Sequence, residues 1–290
     1  MTDSQTAIQR QFDRSAAGAY DAHAHVQRSM ANALLQSLKG RLPASGVRTS
    51  DILEIGCGTG YVTEKLLTEL TEPPPASITA VDLAPAMLAA AQQRIQRVSA
   101  QRGDLAEQSK TQVQFLLEDV ELWAANAAPA SFDIIISNAC FQWLRDPQRT
   151  LVSLRRLLRP GGVIAFSTFG PETFHELHQA FAKAYCANGL TPQRHGKSFP
   201  SGDAWDRLLQ AAGFSDRAFE QWLHVEEHAS VSDFLHAVKA VGASTSEASP
   251  SRGLGSRRLF TQMYGHYEQA FSSPKGIRAT YEVYLFLAQE

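Results

Sequence analysis

The sequence has few cysteines and no long apolar run. Its three cysteines are scattered over 290 residues without a CxxC pair, which favours reduced thiols over a disulfide framework or a zinc ribbon. No stretch approaches the roughly 18 apolar residues that a membrane-spanning helix needs, and the start of the chain contains no apolar signal-peptide core. We therefore expect a cytoplasmic protein without a membrane partner.

Net charge is also nearly absent. The chain has 27 Lys and Arg against 29 Asp and Glu, a formal charge of −2, which argues against a protein that coats nucleic acid by neutralising its phosphates. Its length allows one large domain or two small ones. A hydrophobic fraction of 44% is sufficient for a folded core.

Apolar runs that are typical of buried strands alternate with helical patterns up to residue 170. Helices are predicted at 21–39, 62–70, 85–99 and 147–158, and strands at 51–55, 78–83, 113–117, 132–137 and 163–169. Continuous apolar strands separated by helices predict a parallel sheet covered on both faces. The expected fold class is therefore α/β, with a doubly wound sheet.

After residue 170 the pattern is mainly helical. Helices are predicted at 172–187, 202–212, 232–242 and 256–271, and strands at 221–228 and in the terminal run TYEVYLFLA, the last one antiparallel. We divide the chain into an N-terminal helical segment or lid (1–47), a core (48–170), and a small helical cap with the last two strands of the sheet (171–290). The polar loop 243–255 is expected to be a mobile segment over a site.

A glycine-rich turn follows the first predicted strand. The segment 54–60, EIGCGTG, places Gly56, Gly58 and Gly60 where the strand gives way to a helix. Backbone can approach a ligand closely at such a turn, and a Cβ would obstruct that approach. The GxGxG spacing differs from the GxGxxG of dinucleotide-binding enzymes, and the loop alone could equally be a tight turn.

Polar residues end the other strands at the same edge of the predicted sheet. Asp82 ends the second strand, where a carboxylate can accept both ribose hydroxyls of an adenosyl group. Asp119, beside the backbone amide of Val120, follows the third strand and can accept the adenine amino group, and Asn138 ends the fourth. Each alone could be a cap or turn residue, but together they indicate an adenosyl site.

In chain order these segments resemble the motifs of class I S-adenosylmethionine-dependent methyltransferases. The resemblance lies within residues 50–175, in ILEIGCGTG, AVDLAPAML, FLLEDVE, FDIIISNACFQW and LLRPGGVIAFSTFGPETFHEL. It implies a Rossmann-like core that binds S-adenosylmethionine, releases S-adenosylhomocysteine and uses no metal. The cofactor contacts that it implies are Glu54, Gly56, Gly58, Gly60, Asp82, Leu83, Asp119, Val120 and Asn138. Acidic residues suit a ligand with a sulfonium and an ammonium but no phosphate.

The flanking segments narrow the resemblance. QRQFDRSAAGAYDAHAHVQRSMANALL, SNACFQWLRDP, FLHAVKAVGAS, RGLGSRRL and TYEVYLFLA resemble the malonyl-[acyl-carrier protein] O-methyltransferases of biotin synthesis nearly from end to end. This family resemblance implies methylation of the free carboxylate of a malonyl thioester, with an acyl carrier protein as the partner.

Such a reaction needs no general base, because a carboxyl with a pKa of about 4 is already ionised at neutral pH. It depends instead on alignment with the methyl group and on exclusion of water. We predict that Tyr20 and His25, with Gln27, close over the donor, Tyr20 offering its ring to the sulfonium and its hydroxyl to the carboxylate. Gln142 and Trp143 are expected to line the acceptor pocket. Each could instead be a surface or packing residue.

Two arginine clusters could steer an acidic carrier protein. They are Arg155, Arg156 and Arg159, and Arg252, Arg257 and Arg258; ordinary solvated helix faces are the alternative.

Two other functions stay open. One is a methyltransferase for a quinone precursor or a free carboxylic acid. A ring acceptor would need a base, so its rate would change near pH ~7. The other is an assembly factor that has lost methyl transfer, which the intact glycine loop, Asp82 and Asp119 argue against.

Overall fold

The computed structural model describes residues 3–16, 20–41, 50–69, 75–102, 111–243 and 254–290. Its strands are β1 (Asp51–Ile55), β2 (Ser77–Asp82), β3 (Gln112–Leu117), β4 (Phe132–Asn138), β5 (Leu158–Phe169), β6 (Ser215–His228), β7 (Ser272–Ser273) and β8 (Gly276–Gln289). Its helices are α1 (Asp3–Ala16), α2 (Tyr20–His23), α3 (His25–Arg41), α4 (Tyr61–Thr68), α5 (Pro85–Arg102), α6 (Val120–Asn126), α7 (Pro147–Leu157), α8 (His175–Ala187), α9 (Gly202–Ala211), α10 (Val231–Ala240) and α11 (Leu254–Phe271).

The strands form one sheet in the order β3-β2-β1-β4-β5-β8-β6, with β7 paired to β8. Parallel pairing runs from β3 through β2, β1 and β4 to β5. The chain order reverses between β1 and β4, and doubly wound sheets bind ligands beyond the carboxyl ends of the strands at such a reversal. The predicted Rossmann-like, doubly wound α/β fold is confirmed.

The central strands are apolar because both of their faces are covered. Leu53 on β1 and Ile135 on β4 are fully buried, and they belong to one core cluster with Leu154 of α7 and Trp205 of α9. Continuous apolar strands are typical of such a sheet. Among the helices of the described residues, none has the length and apolar character that crossing a bilayer requires.

Several elements differ from their predicted bounds. The predicted helix 21–39 is interrupted at Ala24, which separates α2 from α3. β5 begins at Leu158 instead of residue 163, because Leu158 already pairs with Phe132 before a register shift. Helices α1 and α6 have no counterpart in the sequence prediction; α6 is only seven residues long, too short for a clear period.

The chain divides into two compact units, which differ from the predicted division. The first comprises residues 1–168, 201–221 and 284–290, and the second comprises 169–200 and 222–283. The observed boundary after residue 168 lies beside the predicted one at 170. Residues 1–47 are part of the first unit, however, because α1 packs against α5 and α3 against α4. Of the predicted mobile loop, residues 244–253 lie outside the described part of the chain.

Candidate active site

A cavity lies at the carboxyl ends of the parallel strands of the first unit. Its walls come from the tips of β1 to β4 and from helices α1 and α2, and a smaller cavity adjoins it. The predicted contacts that line the larger cavity are Gly56, Gly58, Asp82, Leu83, Asp119, Val120 and Asn138, and Glu54 lines the smaller one. The structure therefore brings all of the predicted cofactor contacts except Gly60 onto these walls.

The three glycines of the turn serve different purposes, although all have positive φ angles. A Cβ on Gly56 would lie 2.5 Å from the Cys140 sulfur, and one on Gly60 would lie 2.9 Å from the Ala91 Cα. A Cβ on Gly58 would meet no protein atom within 4 Å. Packing within the protein therefore requires Gly56 and Gly60, whereas Gly58 borders the open space that a ligand can enter.

Asp82 supports the glycine turn from the tip of β2. One carboxylate oxygen accepts a hydrogen bond from Gly58 N and the other from Ala84 N, each at 2.8 Å. Burial raises the pKa of Asp82 in spite of these bonds. Leu83 N also donates to this carboxylate. Because a carboxylate can accept about four hydrogen bonds, Asp82 can hold the turn and still accept one from a ligand hydroxyl.

Glu54 lies on β1 beneath the same turn and is 2% exposed. Thr63 Oγ1 donates a hydrogen bond to Glu54 Oε2 at 2.6 Å. Burial raises the pKa of Glu54 to about 8, and the negative charge of Asp82 adds to this effect. Neither carboxyl forms an ion pair with a described residue, so this end of the site has an excess of acidic groups.

The opposite end of the cavity has acidic groups that are paired. Asp119 caps α6 by accepting a hydrogen bond from Glu121 N at 3.0 Å. Arg145 pairs with Asp119 at 3.0 Å and with Glu121 at 2.7 Å. Burial raises the pKa of Glu121, but the hydrogen bonds from Asp146 N and Arg145 outweigh it and lower the pKa below its ordinary value. Sequence reasoning missed Glu121 and Arg145, although both lie in segments that follow strands of the predicted sheet, EDVE and RDP.

Of the residues predicted to close over the donor or to line the acceptor pocket, Tyr20 and Trp143 reach the larger cavity. Tyr20 lines both cavities, and burial, assisted by Asp82 and Asp21, raises the pKa of its phenol. The hydroxyl therefore stays protonated and can donate a hydrogen bond. Trp143 lines the larger cavity and packs edge-on against Phe12, with ring centroids 5.5 Å apart.

Of the other residues of that prediction, Gln27 lines the smaller cavity, whereas His25 and Gln142 line neither. His25 is exposed, lines neither cavity, and its Nδ1 lies 2.7 Å from Arg28 Nη2. Gln142 is buried and is held by Ala139 O at 2.7 Å and Thr168 Oγ1 at 3.1 Å. Gln142 therefore supports the turn after β4, and Gln27 reaches the site through its carbonyl oxygen.

Hydrogen bonds fix the N-terminal helices over the strand tips. Asp13 on α1 accepts from Ala86 N at 3.0 Å, and Gln27 O on α3 accepts from Asn138 Nδ2 at 3.0 Å. Asp21 on α2 accepts from Thr59 Oγ1 at 2.7 Å and forms an ion pair with Arg94. The predicted lid is therefore attached to the glycine turn, to α5 and to β4. Sequence reasoning did not single out Asp13 or Asp21.

The first arginine cluster has partners within the protein. Arg155 pairs with Glu290 at 3.0 Å, and Arg159 pairs with Asp51 at 2.8 Å and Asp133 at 2.6 Å. Arg156 donates to the last carbonyl groups of α6. These contacts account for the cluster without a carrier protein.

Arg257 and Arg258 of the second cluster are exposed on α11, and Arg252 lies outside the described residues. Over the described ranges, no group of three or more His, Cys, Asp or Glu side chains is placed to hold a metal ion.

Comparison with known proteins agrees with this geometry. A methyltransferase-domain family model matches residues 53–164, which contain the glycine turn, Asp82, Asp119 and Asn138. The malonyl-[acyl-carrier protein] O-methyltransferase of Paenibacillus sp. (strain JDR-2) is 50% identical over 99% of this chain and 100% of its own length. The chain belongs to the malonyl-[acyl-carrier protein] O-methyltransferase family.

Solved structures share the fold of this methyltransferase at low sequence identity. The YcgJ protein of Bacillus subtilis has a TM-score of 0.58 at 14% identity, covering 89% of this chain and 98% of its own. Phosphoethanolamine N-methyltransferase 2 of Haemonchus contortus, in complex with S-adenosyl-L-methionine, has a TM-score of 0.51 at 17% identity, covering 89% of this chain and 52% of its own. At these identities the likeness shows the fold alone.

Proposed function

We propose that this protein transfers a methyl group from S-adenosylmethionine to the free carboxylate of a malonyl thioester on an acyl carrier protein, an early step of biotin synthesis. The observation that carries the proposal is the 50% identity over 99% of this chain to a relative whose name states the acceptor. That identity extends over nearly the whole of both chains and so includes the regions outside the methyltransferase domain at 53–164.

The larger and the smaller cavity, which together we call the strand-tip cavity, fit the methyl donor. Gly58 leaves open space beside the turn, and Asp82 offers oxygen atoms to a ribose. The neighbouring Glu54 gives this end an excess of acidic groups, which suits a ligand with two cationic centres. When bound, the donor supplies a methyl group activated by a sulfonium.

The chemistry requires no proton transfer. A lone pair of the acceptor carboxylate forms the new O–CH₃ bond while the S–CH₃ bond breaks, and the sulfonium becomes a neutral thioether. The protein contributes alignment and exclusion of water. We assign alignment to Tyr20, whose protonated hydroxyl can donate to the carboxylate, and a wall of the pocket to Trp143 and Phe12. His25 has no role in the proposal.

An acyl carrier protein is acidic, so its approach requires exposed cations. Arg257 and Arg258 have exposed side chains on α11. We expect the double substitution Arg257→Glu and Arg258→Glu to raise the KM for malonyl-carrier protein severalfold, because it reverses the charge that meets the carrier. The KM for a small malonyl thioester should not change. An equal rise in the KM for both acceptors would contradict docking at these residues.

The deciding experiment measures radiolabelled methyl transfer from S-adenosylmethionine to malonyl-carrier protein, malonyl-coenzyme A and free diacids. We expect kcat/KM to be highest with the carrier protein and nearly constant from pH 6.5 to 8 when the donor is saturating, because no base takes part. Rescue of a biotin auxotroph is the cellular counterpart. Transfer to free diacids with none to either thioester would disprove the proposal.

A further inference from the structure

The smaller cavity contains a carboxyl group that has no positive partner within the described part of the chain. Glu54 is buried on β1, and its hydrogen-bonding partner is Thr63, whose hydroxyl group is neutral. The charged group that acts on it is Asp82 of the neighbouring strand β2, which is also acidic. Placing a second negative charge in this buried space is unfavourable unless a cation accompanies it.

The other groups around this cavity do not supply that cation. Tyr20 and Asp21 come from α2, Tyr61 from α4 and Cys57 from the glycine turn, and none of these side chains is basic. Arg28 of α3 is the basic residue on the wall.

The guanidinium of Arg28 is held by groups other than Glu54. It donates to the backbone oxygen of Asp21 and lies 2.7 Å from His25 Nδ1. Arg28 forms no ion pair with Glu54, so a proton on Glu54 is the remaining way to neutralise the carboxyl in the free protein.

The methyl donor brings the missing charge. S-adenosylmethionine carries one net positive charge, from a sulfonium, an ammonium and a carboxylate, whereas the product S-adenosylhomocysteine carries none. Because the pKa of Glu54 is raised to about 8, roughly nine in ten molecules of the free protein hold this proton at pH 7. A cation beside the carboxyl favours its ionised form.

We propose that Glu54 is protonated in the free enzyme and releases its proton to solvent when the cationic methyl donor binds. This inference rests on the proposed use of S-adenosylmethionine. Binding then exchanges the proton on Glu54 for the positive charge of the donor. The carboxyl recovers a proton from solvent when the neutral product leaves. Donor affinity should rise with pH, by up to tenfold per unit, and level off above about pH 8, where the free carboxyl loses its proton without the donor.

Titration calorimetry at pH 7 tests this directly. S-adenosylmethionine is titrated into the protein in phosphate, HEPES and Tris, whose ionisation enthalpies differ, and the slope of observed enthalpy against buffer enthalpy gives the number of protons released. We expect release of at least 0.5 proton with the unaltered protein and none with Glu54→Gln. Glu69→Gln, which removes an exposed carboxylate of the same protein, should retain the full release.

Two further measurements keep the test decisive. Titration with 5′-methylthioadenosine, which has neither cationic centre, should release no proton from the unaltered protein. Thr63→Val removes the hydroxyl that stabilises ionised Glu54, so the pH at which donor affinity levels off should move upward by about one unit. This variant replaces Glu54→Gln if the latter does not fold.

The outcomes separate the two proposals. Donor binding with a zero slope, or with the same release from Glu54→Gln, would overturn the inference about Glu54 and leave the methyltransferase proposal intact. Absence of donor binding in every buffer and at every pH would instead refute the proposed function.

Discussion

The two ends of the strand-tip cavity contain the same kind of side chain in opposite electrostatic settings. At the glycine turn, Glu54 is buried and Asp82 partly buried, neither forms an ion pair with a described residue, and loss of contact with water raises the pKa of both. At the far end, Asp119 and Glu121 share Arg145, and the pKa of Glu121 is lowered. The pKa of a carboxyl group in a binding site therefore depends on its counterion as much as on its position.

This asymmetry matches the proposed donor. Its two cationic centres require acidic surroundings, and the uncompensated pair at the turn provides them. Its adenine is neutral, and two carboxylates at the far end are already held by Arg145. The cavity thus has one end whose carboxyl groups lack a counterion and one end whose carboxylates share one, which gives a reason for the donor to bind in one direction.

The largest expected effect concerns the pH dependence of stability. The folded-state pKa of Glu54 is about 8, against 4.5 for the free side chain, so its contribution to stability is full below pH 4.5 and is lost as pH rises towards 8. Glu54→Gln avoids this loss. The Tm of Glu54→Gln minus that of the unaltered protein should therefore increase by several degrees from pH 5 to pH 8.5. This corresponds to a few kcal/mol in the free energy of unfolding.

Glu121→Gln is the matched control at the other end, because the pKa of Glu121 is shifted in the opposite direction. It should lower Tm at pH 7, and this cost should shrink as pH falls below about 4.5. If thermal melts at a series of pH values gave the two variants the same pH dependence, the contrast between the two ends would be wrong.

The next effect is on donor affinity. Asp82→Asn leaves one of the two backbone amides of Gly58 and Ala84 without an acceptor and weakens the ribose contact. We expect the Kd for S-adenosylmethionine to rise roughly 100-fold, since hydrogen bonds to a charged group are worth about 1.5–3 kcal/mol each. Calorimetry measures the change.

Asp133→Asn provides a control of the same chemistry. Asp133 also accepts a backbone hydrogen bond, from Asp51 N at 2.8 Å, but at the amino ends of the strands. This variant should lose stability and keep its donor affinity. A loss of affinity equal to that of Asp82→Asn would mean that both variants act through the fold alone.

A smaller effect is expected at the paired end. Arg145→Met removes the guanidinium that holds Asp119, the predicted acceptor for the adenine amino group. The Kd for S-adenosylmethionine should rise roughly fivefold as that contact loosens, a modest change because the Arg145 side chain is 34% exposed and solvent screens its charge.

Arg159→Met is the control for this change. Arg159 also bridges two carboxylates, Asp51 and Asp133, and is 38% exposed, but it lies at the opposite edge of the sheet. Its donor Kd should not change. If Arg145→Met bound the donor as tightly as the unaltered protein, the ion pair between Arg145 and Asp119 would have no role in binding.

The sequence predicted the walls of the site because they depend on local patterns. Apolar runs placed the strands, and parallel strands bring their carboxyl ends to one edge, so Asp82, Asp119 and Asn138 could be grouped before any contact was known. The family resemblance added Tyr20, which the structure places on both cavities.

The partners of those residues could not be predicted in the same way. Arg145 reaches Asp119 across 26 positions, and Thr59 reaches Asp21 across 38. No periodicity encodes such distant pairs. The same limit explains the arginine cluster at 155–159, whose positive charges are compensated by residues as remote as Asp51 and Glu290.

The smallest expected effect concerns the lid that covers the acidic end. Asp21 is half exposed, and it links α2 to the glycine turn through Thr59 and to α5 through Arg94. Asp21→Asn keeps the size of the side chain but removes the ion pair, so the lid should open more often. We expect the dissociation rate of the donor, measured by stopped-flow competition, to rise about threefold, because exposed ion pairs contribute only about 0.2–1 kcal/mol.

Asp216→Asn, which breaks the exposed pair with Arg41 away from the cavity, should leave this rate unchanged. Equal rates in the two variants would show that the acidic end holds the donor through Glu54 and Asp82 without help from the lid.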